Sequence, residues 1–154
     1  MLENPAGLVY GTLIVGALLD AESTVSENYP DTVGAVAITL VLFWLAHSYA
    51  EFAGNRLKHR EALRLAGLGH ALVHGLPTLA GGGVPWLVLV LCWVSGATLD
   101  TAVGIGIWSS AGMILVIELA AGVRAELSGV ALLVQSLVGA ALGALILALK
   151  VVLH

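Results

Sequence analysis

The chain has 154 residues, 59% of them apolar and only 10% charged, with a formal charge of −4. A soluble domain carries about 25% charged residues, so lipid must act as solvent for much of this surface, and a separate water-facing domain is excluded. A nucleic-acid interface is excluded as well, because the one basic cluster is short and lies between apolar helices.

The apolar runs do not alternate as barrel strands do, so the backbone must satisfy itself within helices. The expected fold is all-α: a polytopic helical membrane bundle, one integral domain over 1–154. About five transmembrane helices plus one amphipathic or re-entrant helix fit the length, and six spans is the other count. The single Cys92, set in Leu-Val-Leu-Cys-Trp, excludes an intramolecular disulfide and reads as small apolar filler.

In chain order, the first four residues lack the basic n-region of a signal peptide, and no Ala-x-Ala site follows. A retained first helix is expected, with Asn4 and Pro5 as N-cap and first residue, running to about Asp20. Its Gly7-x-x-x-Gly11 spacing suits close packing on a neighbour. Glu22 to Pro30 forms an acidic loop. Asp31 or Thr32 then caps a second helix to about Gly54, in which Thr39, His47, Glu51 and Asn55 recur at multiples of four with Ser48 beside them. Such a stripe faces protein or water, not lipid. Trp44, Tyr49 and Phe52 fit an inner interfacial belt equally well.

The turn from Arg56 to Glu61 follows, and Arg56, Lys58, Arg60 and Arg64 crowd it. By the positive-inside rule this hairpin is cytoplasmic, as is the N-terminus of a multi-pass protein of the inner or plasma membrane. Helix 3 is expected from about Ala62 to Thr78, carrying His70 and His74 and ended by Pro77 and Gly81-Gly82-Gly83. A fourth helix opens near Val84-Pro85 and runs to about Ala97. Asp100 caps a fifth, to about Ala121. The last, Gly129 to Leu153, holds Gly139-x-x-x-Gly143, a small-residue surface for a homo-oligomer. Five and six spans both place five Lys and Arg inside and one outside, so charge does not choose between them.

The segment Leu-Ala-His-Ser-Tyr-Ala-Glu-Phe-Ala-Gly (Leu45 to Gly54) and the closing helix from Gly139 to Leu153 carry a resemblance. In them the chain is similar to small uncharacterised polytopic membrane proteins of high-GC bacteria. The resemblance implies a multi-pass fold and no particular activity.

Two constellations hold chemistry. His47-x-x-x-Glu51 and His70-x-x-x-His74 each place two groups on one helix face, and a hairpin centred near Lys58 and His59 brings the helices level. Two imidazoles and a carboxylate, from His47, Glu51, His70 and His74, make a first shell for a divalent transition metal, though pairing at the interface explains them as well. No other cofactor is expected. The same residues suit proton or cation movement, since histidine titrates near neutral pH and a carboxylate can exchange its proton. His47, Glu51, Thr39 and Ser48 would line that pathway. Glu118, in Leu-Val-Ile-Glu-Leu-Ala-Ala-Gly, is the best acid outside the hairpin, paired with Arg124 at the boundary or turned inward toward Arg64 or a histidine.

No nucleophile elbow or phosphate loop is present, so a serine hydrolase is unsupported and an enzyme is not the leading expectation. The leading expectation is a small channel or transporter for protons or cations. A non-catalytic subunit docking a protein partner through Arg56 to Arg64 is the alternative, and a metal-dependent membrane protein the third.

Overall fold

The computed structural model describes residues 5–22, 28–59, 65–125 and 129–153. Among the described residues there are six helices: α1 (Pro5–Glu22), α2 (Tyr29–His59), α3 (Leu65–His74), α4 (Leu76–Val94), α5 (Leu99–Arg124) and α6 (Gly129–Leu153). Among the described residues there is no strand. Three stretches are long and apolar enough to cross a membrane: Tyr29–Gly54, Gly67–Val94 and Leu99–Arg124. Pro5–Ala21 and Gly129–Ala141 are shorter apolar stretches.

The helix starts differ from the sequence expectation in instructive ways. Asn4 lies outside the described residues. Helix α2 begins at Tyr29, two residues early, because Pro30 is tolerated in a first turn and the Asn28 carbonyl accepts from the Thr32 N–H at 3.2 Å. Helix α5 is capped by Thr98, whose Oγ1 accepts from the Thr101 N–H at 3.4 Å, while Asp100 sits inside the first turn. There its charge favours the helix N-terminus without closing it.

The larger correction concerns the triple glycine. Gly81-Gly82-Gly83 does not end helix 3; it lies inside α4, as does Pro85. The interruption falls at Gly75, where Pro77 has no N–H for the Val73 carbonyl and the Thr78 N–H goes to the Gly75 carbonyl at 3.0 Å. Gly75 keeps near-helical angles (φ −78°, ψ −9°), so α3 runs into α4 without reversing. A true reversal comes only after α4. There Gly96 at φ 78° closes the end, with Ala97 N–H bonded to the Cys92 carbonyl at 3.1 Å and Gly96 N–H to the Trp93 carbonyl at 3.0 Å.

The glycines of α4 serve its crossing with α1. Gly81 lies against the Leu8 carbonyl and Gly11 against the Thr78 carbonyl, so neither position has room for a Cβ. Two backbones this close gain dispersion contacts and let a side chain bond across. Thr12 does so, its buried hydroxyl sharing one proton between the Leu8 carbonyl at 2.9 Å and the Gly81 carbonyl at 3.0 Å. Thr12→Val keeps the shape and removes that bond; a loss of about 0.6 kcal/mol, the average for such bonds in bilayers, is expected from unfolding in mixed micelles.

Around this crossing Val15 and Leu19 of α1, Val36 and Leu40 of α2, Leu89 of α4, and Ala102, Val103, Ile107 and Ile114 of α5 form the apolar core. Helix α6 packs on α5. Gly139 meets the Glu118 side chain and Ile114, and Gly143 meets Ala111. The small-residue surface expected to serve a second copy is therefore used within the chain. Ile38, Leu42, Leu45 and Tyr49 of α2 face outward, at the spacing of a lipid-facing stripe.

Candidate functional site

Helix α2 is 31 residues long, about 46 Å at 1.5 Å per residue, against a hydrocarbon layer of about 30 Å. Its last turns therefore extend past the apolar zone, and α3 lies alongside them, antiparallel. Three aromatic donors hold the seam between α2 and the α3–α4 run, each spending its polar tip on a backbone carbonyl. Tyr29 Oη donates to Ala97 O at 2.6 Å, Trp86 Nε1 to Val33 O at 3.1 Å, and Trp44 Nε1 to Leu72 O at 3.2 Å. Trp44 is thus more than an interfacial belt residue: it satisfies a carbonyl beside the Gly75 interruption. Phe52 packs on Gly67, and Tyr49 is exposed.

Within this frame Glu51 Oε1 lies 3.5 Å from His74 Nδ1, an ion pair whenever the imidazole is protonated. The side chains are 36% and 51% exposed, so neither is sealed inside the bundle. His70 stacks on His74 with ring centroids 6.5 Å apart. His47 takes another course. Its ring stacks on Phe43 at 6.0 Å and meets Tyr10 of α1 at 5.7 Å, away from the His70–His74 pair. Among the described residues no three His, Cys, Asp or Glu side chains converge as a metal site would require.

Above the Glu51–His74 pair the seam closes. Ser48 and Thr78 are fully buried, and neither hydroxyl has a hydrogen-bond partner. Gly75 lies directly against Ser48 Oγ and the Trp44 indole, a contact that any side chain at 75 would block. Thr39 is half-buried farther up α2. Beyond that level Val15, Leu19, Leu40 and Leu89 fill the interior. Near the far end of α1, Asp20 is 1% exposed, where the sequence had suggested a loop flank.

Glu118 meets neither Arg124 nor a histidine among the described residues. Its carboxylate Oε2 accepts from Gln135 Nε2 of α6 at 2.9 Å. Gly139 provides the space for its methylenes. Gln135→Leu would leave the carboxylate without that donor and is expected to cost about 1–3 kcal/mol in an unfolding titration, whereas Glu118→Gln keeps an amide-to-amide bond and should stay near wild type. Arg56 is half-buried on α2. The Lys58 side chain, Arg60 and Arg64 lie outside the described residues.

Sequence reasoning missed Thr78, Thr12 and Gln135. A signal for Thr78 was present, since His70, His74 and Thr78 continue one four-residue spacing. It was passed over because Thr78 stood at the expected helix end, beside Pro77. No protein-family model, curated protein or solved structure matches the chain.

Proposed function

We propose that this is a small multi-pass membrane protein that moves protons or small cations, with the Glu51–His74 pair as the cytoplasmic mouth of its pathway. The observation that carries this reading is the pair itself: an acid and an imidazole from two helices, 3.5 Å apart and partly exposed, with the buried hydroxyls of Ser48 and Thr78 one helical turn further along. A carboxylate and an imidazole in contact can hand a proton from one to the other.

Five crossings suit this reading: α1, α2, the α3–α4 run, α5 and α6. The helical angles of Gly75 support five over six, since α3 leads into α4 without turning back. The basic hairpin and Arg124 then lie in the cytoplasm with the N-terminus, and Lys150 outside. The apolar core between the hydroxyls and Asp20 closes the outer half, so transport requires α1, α2 and α4 to separate there.

The test is flux into proteoliposomes holding the purified protein, read by an internal pH-sensitive dye under an imposed membrane potential. Flux above that of protein-free vesicles is expected. Absence of flux for protons, sodium and potassium alike would overturn the reading.

A further inference from the structure

The Gly75 interruption has the chemistry of a cation site. At the C-terminal end of α3 the helix dipole presents its negative pole. The Val73 carbonyl there loses its helical donor because residue 77 is proline, and the Thr78 N–H turns to the Gly75 carbonyl at 3.0 Å. On the same stretch, one turn apart, Ser48 Oγ lies against Gly75 and Thr78 carries its hydroxyl, both fully buried and both without a partner. A buried hydroxyl left unbonded costs about 1–3 kcal/mol, so two of them flanking the helix interruption call for a guest.

The donor set is oxygen throughout, which selects a hard cation over a transition metal. Glu51, one turn from Ser48 on α2, supplies the formal negative charge and is partly exposed. Interrupted membrane helices use freed carbonyls and half-helix C-terminal ends in this way to hold sodium. We infer that Ser48, Thr78 and the carbonyls at the Gly75 interruption form a binding site for a small alkali cation, sodium above all, entered past Glu51 and His74. This rests on the proposed function and names its cargo or coupling ion.

The experiment is thermal unfolding of the full chain in detergent, followed by tryptophan fluorescence, with sodium chloride titrated against N-methylglucamine chloride at constant ionic strength. Sodium is expected to raise the midpoint saturably, with potassium weaker. Ser48→Ala and Thr78→Val each remove one ligand oxygen and should weaken the apparent affinity about tenfold or more, the worth of one bond to a charge. A midpoint blind to sodium in the wild type would overturn the site and point to water as the occupant. An unchanged sodium response in both variants would overturn it equally. If either variant fails to fold, radioactive sodium binding to wild type with and without Glu51→Gln decides, since the site requires binding that weakens with the lost charge. Proton flux without sodium dependence would remove this inference and leave the transport reading; saturable sodium binding without flux would do the reverse.

Discussion

Gly81→Ala, like Gly11→Ala on the facing helix, should abolish the folded bundle or sharply lower its unfolding midpoint. The new Cβ would run into the Leu8 carbonyl, and backbone cannot swing aside as a side-chain tip can. To admit it, α1 must move away from α4, which breaks the Thr12 bond to Gly81 and opens the packing of Gly82 on Leu40 and Val15. Overpacking alone costs about 1–3 kcal/mol in a rigid core, and the lost interhelical bond adds to it. Gly83→Ala is the control two residues on. Nothing lies within 4 Å of its added Cβ, so it should be neutral or slightly stabilising through better helix propensity. The measurement is the yield of monodisperse protein in detergent and its thermal midpoint. Equal behaviour of the two variants would mean that α1 and α4 do not cross in this way.

Glu51→Gln should reduce proton flux by about tenfold or more while leaving the midpoint in sodium-free buffer nearly unchanged. The amide keeps the size of the carboxylate but neither binds a proton nor attracts one, and general proton transfer through a positioned group contributes about 10²–10⁴-fold where it operates. The small stability effect follows from exposure, since a partly exposed pair is worth little to the fold. His74→Ala should act in the same direction and the double variant no worse than the stronger single one, because both remove a single relay. Flux indifferent to Glu51 and His74 would move the pathway elsewhere, and Glu118 with Gln135 is the next acid to test.

Both predictions rest on contacts between helices remote in sequence, and the division of what could be read follows from that. Apolar content and charge asymmetry determined the all-helical class and the stretches able to cross a membrane, because backbone satisfaction in hydrocarbon is a local demand. The polar side of α2 was also legible, since a three-residue spacing puts Ser48 and Glu51 on one face wherever the helix lies. The fate of glycine and proline was not. Pro77 and Gly81-Gly82-Gly83 look like a helix end in isolation, yet α1 packs against Gly81 and Gly82 so closely that neither has room for a Cβ. Likewise Gly139-x-x-x-Gly143 announced a packing surface without naming its partner, and α5 supplied it. Which histidine meets Glu51 was a matter of helix rotation. By spacing His47 shared a helix face with Glu51; the Trp44–Leu72 bond and the fit of Ser48 against Gly75 turn α3 so that His74 reaches the acid, while His47 faces Phe43 and Tyr10. Periodicity fixes a face, and only packing decides what that face meets.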